Sequence, residues 1–126
     1  GGDVDSRHNY FYPLRIRPGG RTVALSEYGG IAWPMPGHEP PGKTYGYGTA
    51  KDKADLTKRY KMLQWKTILP QLGRGLSALV YTQLTDVEDE VNGLFTYDRA
   101  ALKPEAAAVR SCNAALAAEF AKATAK

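Results

Sequence analysis

Residues 29–48 limit the possible folds of this chain more than any other stretch. Proline lacks a backbone N–H and glycine weakens regular elements, so a segment rich in both excludes a regular helix or a central strand. Aromatic side chains in the same segment give it groups that can pack, which argues against disorder. We therefore expect a long ordered loop, whose rings either anchor it to the core or stack on a ligand such as a sugar. The segment contains Gly29, Gly30, Gly37, Gly42, Gly46 and Gly48, Pro34, Pro36, Pro40 and Pro41, and Trp33, His38, Tyr45 and Tyr47.

Regular elements lie on both sides of this loop. The apolar residues 22–25 predict a short buried strand, and residues 76–83 predict a second strand that is covered on both faces. Between them, apolar residues recur at helical spacing from a start near Thr49. The order strand, helix, strand predicts parallel pairing through a crossover connection. A short strand within residues 3–12 and a last helix from about Pro104 complete an α/β pattern.

The composition is that of one ordinary globular domain over residues 1–126. The hydrophobic content of 43% supports a core, and the charged fraction of 24% argues against global disorder. The net charge of +4 comes from scattered basic residues that form no stripe with aromatic residues, so we expect no nucleic-acid partner. No stretch is long enough to span a membrane, and we expect no membrane partner. The single cysteine, Cys112, excludes an internal disulfide and is expected in the core.

The sequence further indicates that this chain depends on other protein. Its first methionine is Met35, so we expect a piece of a longer protein. Two strands and a short third would leave bare sheet edges, and parallel sheets need cover on both faces. We therefore expect further chain to complete the sheet, or a homodimer if the chain is isolated.

Polar side chains gather where the predicted strands end. Glu27 lies between a strand and the turn at Gly29 and Gly30, and Gln83 ends the next strand of the sheet. Ligands of parallel α/β folds bind at this carboxyl edge, so Glu27 is either a nucleophile or base, or an ordinary surface glutamate. His8 and Tyr10 share one side of an extended chain. They either hold a hydroxyl group or a carboxylate, or pack beside a turn.

Residues 85–93 carry four carboxylates in a chain of positive net charge. A calcium loop is one interpretation, but the spacing lacks the D-x-D-x-D-G pattern of an EF-hand. Alternatively, one or two of the carboxylates hydrogen-bond a substrate or the backbone, or the run is a solvated turn. Asn92 and Gly93 predict a tight turn with positive φ.

Four pieces of the sequence together carry a resemblance to a known family. They are Asp3-Val4 with His8-Asn9-Tyr10, Ser26-Glu27-Tyr28-Gly29-Gly30, residues 80–93, and Thr96-Tyr97-Asp98-Arg99 with Lys103-Pro104. With these pieces the chain resembles the C-terminal part of the catalytic barrel of family 2 glycoside hydrolases, the group of β-galactosidase, β-glucuronidase and β-mannosidase. The similarity extends from about residue 3 to about residue 112, and the third piece, joined to the fourth, is its most specific part.

The resemblance implies a partial (β/α)8 barrel that contains its last three strands, with a long irregular loop after the seventh strand. It implies retaining hydrolysis of a β-glycosidic bond without cofactor or metal. Glu27 would be the nucleophile, and Tyr10 would hydrogen-bond and orient that carboxylate. His8, Trp33 and Gln83 would bind a carbohydrate substrate. The remainder of the barrel, or a second copy of the chain, would be the protein partner.

Departures from the family pattern limit what the chain is expected to do alone. Retaining hydrolysis needs a second carboxyl group, which in this family follows an asparagine, and the chain contains no Asn-Glu pair. Many members have a tryptophan at the end of the eighth strand, where this chain has Tyr81-Thr82-Gln83. We therefore expect the parent protein to be a glycosidase and the 126 residues alone to be inactive. The alternative is a non-catalytic module, either carbohydrate-binding or self-associating, or a degenerate relic.

Overall fold

A computed structural model describes residues 2–125 as a small α/β unit with one parallel sheet. The sheet has the order β1-β2-β3, and β2 pairs in parallel with both neighbours. The predicted parallel pairing is therefore confirmed. A π-helical segment, Leu63–Ile68, continues the first helix into the second. The strands are β1 (Val4–Asn9), β2 (Thr22–Gly29) and β3 (Leu76–Thr82), and the helices are α1 (Lys53–Met62), α2 (Leu69–Leu72) and α3 (Ala106–Thr124).

Helix α1 begins later than the predicted start near Thr49. Thr49 forms a parallel bridge with Ala32, and the N–H of Ala50 donates to the carbonyl of Ala32 at 2.7 Å. These two residues therefore belong to the loop and not to the helix. Asp52 caps α1, because its carboxylate accepts the backbone N–H of Asp55 at 2.8 Å.

The core lies between one face of the sheet and the helices. Successive strand residues point to opposite faces, so Val23 and Leu25 of β2 share the helix side, where they are 2% and 0% exposed. Leu76, which pairs with Val23, joins them from β3, and a register shift after this pair places Ala78 and Val80 on the opposite face. Ile68 of the π-helical segment is 0% exposed. Cys112 of α3 is also buried, as its place in the sequence predicts. Leu14, Ile16, Tyr28, Leu63, Leu72 and Leu116 complete this cluster.

The opposite face of the sheet is uncovered within residues 2–125, so the described residues supply only one of the two covers predicted for β3. Val4 and Val80 are 51% and 57% exposed, and Ser6 and Ala78 are exposed as well. The helical side chains of the buried cluster pack against the other face of the sheet, so no described helix covers this one. We call Val4, Ser6, Ala78 and Val80 the open face.

Two irregular segments adjoin the carboxyl ends of the strands. The first segment, residues 30–50, leaves β2 through Gly29 and Gly30, whose φ angles are +97° and +68°. The second segment, residues 83–105, leads from β3 to α3. Backbone hydrogen bonds join them: the N–H of Trp33 donates to Val91 at 2.9 Å, and that of Val91 donates to Tyr45 at 2.9 Å. None of the described helices is both long and apolar enough to cross a membrane.

Candidate active site

A cleft of about 380 Å³ lies at the carboxyl edge of the sheet and contains three of the predicted site residues. A larger depression of about 580 Å³ runs along α1 among Lys53, Lys58 and Lys61, but it contains none of them. Chemistry, rather than volume, therefore identifies the carboxyl-edge cleft as the candidate site. Its lining residues are Tyr10, Ser26, Glu27, Tyr47, Val80, Tyr81, Thr82, Gln83 and Glu90.

Glu27 is the centre of the cleft's hydrogen-bond network. Tyr10 Oη donates to Glu27 Oε2 at 2.5 Å, and His8 Nδ1 lies 3.3 Å from the same oxygen. The pairing of β1 with β2 shifts register between Arg7 and His8, so that His8 pairs with Glu27. This irregularity brings the imidazole, the phenol and the carboxylate together. The Glu27 side chain is 43% exposed, so it remains accessible from the cleft.

The phenol of Tyr10 is held as a hydrogen-bond donor. Burial, and next its hydrogen bond to Glu27, raise the pKa of Tyr10 to about 12, because both disfavour the phenolate. At neutral pH the phenol therefore keeps its proton. Its oxygen also lies 3.2 Å from Thr82 Oγ1 at the end of β3. The contacts of Tyr10 thus span all three strands and fix the direction of the Glu27 carboxylate.

The glycines that follow Glu27 make room for aromatic rings. The rings of Tyr10 and Tyr47 stack at 3.8 Å between centroids and 8° between planes. A Cβ on Gly30 would lie 2.7 Å from Tyr47 and 2.9 Å from Tyr10, and one on Gly29 would collide with the ring of Tyr81. Glycine is therefore required here for close approach as well as for the positive φ of the turn.

A second hydrogen-bond network includes two of the cleft's lining residues, Gln83 and Glu90. The amide of Gln83 donates to Glu90 Oε2 at 2.9 Å and to Asn92 Oδ1 at 2.8 Å. The amide of Asn92 reaches the same Glu90 oxygen at 3.4 Å. The sequence predicts Gln83 as a site residue but not Glu90 or Asn92. The signal that could have found them is the acidic run itself, for which hydrogen bonding to a substrate was one open interpretation.

Asp86, another member of that run, is buried as part of an ion pair. Lys103 Nζ donates to Asp86 Oδ1 at 2.7 Å and to the carbonyl of Val91 at 2.9 Å. Burial lowers the pKa of Lys103 and raises that of Asp86, while their contact favours both charged forms. The backbone N–H of Gly93 also donates to Asp86 Oδ1, at 2.8 Å. The pair therefore ties the acidic run to the residues before α3.

The tight turn predicted at Asn92 and Gly93 lies elsewhere. The turn joins Val87 to Glu90, which exchange backbone hydrogen bonds of 3.0 and 2.9 Å, and Glu88 between them has a φ of +53°. Gly93 is not among the described glycines with positive φ. It is needed for a different reason, since a Cβ there would collide with the backbone of Asp86.

Within residues 2–125, no group of His, Cys, Asp and Glu side chains is arranged to hold a metal ion.

The structure brings four of the five predicted site residues together and separates the fifth. Glu27, Tyr10 and His8 are in contact, and Gln83 lines the same cleft. Trp33 is instead 9% exposed and packs against Ala50 and Leu56 in a small apolar cluster. Its ring is not part of the cleft lining.

Comparisons with known proteins add no family to this description. Neither the models of known protein families nor the curated protein sequences give a match to the chain. The chemistry of the cleft is therefore argued from its geometry. An accessible carboxylate, oriented by a protonated phenol and flanked by side chains that can donate and accept hydrogen bonds, has the groups that nucleophilic catalysis requires.

Proposed function

We propose that this chain is the C-terminal part of a retaining β-glycosidase, in which Glu27 is the nucleophile. The observation that carries the proposal is the 2.5 Å hydrogen bond from Tyr10 to Glu27, made at the carboxyl edge of a parallel sheet. That edge is where barrel enzymes place their catalytic groups. The motif resemblance supports the same assignment independently of the geometry.

In this mechanism an oxygen of Glu27 attacks the anomeric carbon while the bond to the leaving oxygen breaks. The leaving oxygen takes its proton from a general acid, and a covalent glycosyl-enzyme remains. Water then attacks the same carbon, gives its proton to the same catalytic group, and releases Glu27 as a carboxylate. Tyr10 orients the nucleophile throughout, and His8 restricts the same oxygen from the β1 side.

The acid/base group would come from outside these residues. In the resembled family it belongs to an Asn-Glu pair, which the sequence lacks. The open face fits this proposal, because it would become the inner face of a (β/α)8 barrel once the missing strands were added. The remainder of the barrel is thus the proposed partner, with a second copy of the chain as its substitute. General acid–base catalysis contributes about 10²–10⁴-fold, so the isolated chain should be inactive.

Covalent trapping tests the nucleophile directly. The complete polypeptide would be treated with 2-deoxy-2-fluoro-β-glycosyl fluorides, which form the glycosyl-enzyme but hydrolyse slowly, and its peptides would be mapped by mass spectrometry. We expect the label on Glu27 and no label in Glu27→Gln, whereas Glu119→Gln on α3 should label normally. A label on another carboxylate would overturn the assignment.

Hydrolysis of aryl β-glycosides by the isolated chain, abolished by Glu27→Gln, would overturn its proposed inactivity.

The open face also favours a second candidate, a self-associating or carbohydrate-binding module without catalysis. Two valines more than half exposed on an uncovered sheet face suit burial against another chain. Light scattering should then show a dimer that Val4→Lys converts to monomer. Sugar binding in this module would survive Glu27→Ala. Because Trp33 is buried, Phe11→Ala is the better probe of ring stacking, as Phe11 is 76% exposed.

A further inference from the structure

The charges that line the cleft are negative, although the chain as a whole carries +4. Glu27 and Glu90 are the charged residues among its lining, and no lysine or arginine of the described chain joins them. His8 is the nearby side chain able to carry a positive charge, and its Nδ1 already faces Glu27 Oε2. Within residues 2–125, this cleft therefore has no lysine or arginine with which to bind an acidic substrate.

Glu90 is held in place by neighbouring amides. Its Oε2 accepts hydrogen bonds from Gln83 and Asn92, and the Gln83 amide also bonds the Asn92 side chain. Asn92 is fully buried, so this support is shielded from solvent. Within residues 2–125, no hydrogen bond reaches the other Glu90 oxygen, Oε1. One carboxylate oxygen is thus fixed while the second is left to accept from a ligand.

The backbone on either side of Glu90 is fixed as well. Tyr45 of the first segment bridges to Glu90 in parallel, with its N–H donating to the carbonyl of Asp89 at 2.6 Å. The N–H of Glu90 donates to the carbonyl of Val87 at 2.9 Å within the turn. Both irregular segments therefore hold Glu90 in place before any ligand binds. Such preorganisation lowers the entropic cost of binding a ligand in one orientation.

We infer that Glu90, supported by Gln83 and Asn92, recognises the hydroxyl groups of a neutral glycoside and makes the cleft reject glycosides of uronic acids. This inference rests on the proposed function. A carboxylate accepts strong charge-assisted hydrogen bonds from sugar hydroxyls. A substrate carboxylate placed beside Glu27 and Glu90 would instead meet like charges without a cation to offset them. Glu90 is thus a specificity-determining residue, and the substrate class is neutral.

The test compares trapping of Glu27 by matched pairs of reagents. The complete polypeptide would be treated with neutral 2-deoxy-2-fluoro-β-glucosyl and β-galactosyl fluorides and with the corresponding uronyl fluorides. We expect the better neutral reagent to label Glu27 at least about 100-fold faster than its uronyl counterpart, as sites built around specific polar contacts discriminate strongly. Glu90→Gln should slow neutral labelling by about 10- to 100-fold, the effect of losing a charge-assisted hydrogen bond. It should also speed uronyl labelling, because a repelling charge is removed.

Two further variants make the result specific. Glu88→Gln alters an exposed carboxylate in the same turn and should leave both labelling rates unchanged. Glu90→Asp keeps the charge while shortening the side chain, so uronyl labelling should stay slow although neutral labelling falls. Agreement of both variants with these expectations would support charge at residue 90 as the discriminating feature.

The possible failures are distinguishable. If no reagent labels Glu27, the proposed function itself is wrong and the inference falls with it. If Glu27 is labelled but uronyl reagents react as fast as neutral ones, the function stands and the inference is overturned. The inference is also overturned if Glu90→Gln leaves the ratio of the two rates unchanged. Recovery of Glu90→Gln activity by added azide would assign acid–base catalysis to Glu90 and overturn its role in recognition.

Discussion

The two irregular segments that flank the cleft are fixed by different kinds of contact. The first segment is anchored by apolar packing, with Trp33 and Ala50 buried against Leu56 of α1. The second is anchored by polar groups, with the side chains of Lys103 and Asp86 0% and 2% exposed and paired at 2.7 Å. Both segments lack regular structure over most of their length, yet each presents site residues in defined positions.

The difference shows what each anchor can do for a binding site. Apolar packing depends on volume and has no preferred direction, so it holds a loop down without fixing the orientation of each group. A buried ion pair is directional, and it stabilises its surroundings only while both partners are present. The second segment, which carries Glu90 and Asn92, should therefore be the more precisely positioned of the two and the more sensitive to substitution.

The largest expected effect is that of removing the cation of the buried pair. Lys103→Met leaves Asp86 buried without its partner, and we expect a loss of about 3–5 kcal/mol in the free energy of unfolding. Urea denaturation measures this loss, with exposed Lys58→Met as the control. The double variant Lys103→Met/Asp86→Asn should regain part of the stability because it removes the unpaired charge. A loss below about 1 kcal/mol in Lys103→Met would show that the polar anchor has little effect on stability.

The apolar anchor should tolerate changes of shape that keep its volume. Leu56→Ala leaves a cavity at a side chain 2% exposed, and we expect a loss of about 2–5 kcal/mol. Leu56→Met should cost less than about 1.5 kcal/mol in the same denaturation experiment. Equal losses in the two variants would contradict the view that volume alone matters in the first segment.

Gly30 tests the contact that connects the first segment to the nucleophile. Gly30→Ala places a Cβ against the stacked rings of Tyr10 and Tyr47 at a φ of +68°, so both strain and displacement follow. We expect a loss of about 1–3 kcal/mol in stability, measured by thermal unfolding. Gly37→Ala, also at positive φ but with open space around it, is the matched control for backbone strain. Equal effects in the two variants would mean that the ring contact contributes nothing.

The smallest expected effect is a change in the pH titration of tyrosine. The folded pKa of Tyr10, about 12, lies above its ordinary value of 10. The stabilising contribution of its protonated phenol is therefore fully present below about pH 10 and lost as pH rises towards 12. Ultraviolet difference absorbance should show a smaller step near pH 12 in Tyr10→Phe. A step near pH 12 of undiminished size in Tyr10→Phe would refute the assignment.

The sequence predicts the parts of the fold that depend on neighbouring residues. Apolar runs bounded by glycine mark β2 and β3, and their order along the chain implies the parallel pairing that places Glu27 and Gln83 at one edge. The alternation of His8 and Tyr10 predicts only that they share one side, and the resemblance implies the contact of Tyr10 with Glu27. The register shift between Arg7 and His8, which pairs His8 with Glu27, could not be predicted from spacing.

Contacts between residues distant in sequence could not be predicted in this way. Within the acidic run, Asp86 is buried in an ion pair with Lys103, Glu88 is exposed, and Glu90 lines the cleft. The sequence of the run does not show which carboxylate takes which place, because that depends on which one a distant lysine or amide side chain contacts. The resemblance likewise places Trp33 at the substrate, whereas its burial depends on where the first segment meets α1.

The stacked rings around Gly30 imply a pattern of joint variation among related sequences. A side chain at position 30 would collide with both Tyr10 and Tyr47, so the three residues form one steric unit although they are far apart in sequence. Single replacements at position 30 should be absent from relatives that keep both rings. Where both rings have been replaced by smaller residues, residues such as asparagine that tolerate positive φ should become acceptable there. Divergence at this site should therefore proceed by linked changes, and an alignment of relatives would show positions 10, 30 and 47 varying together.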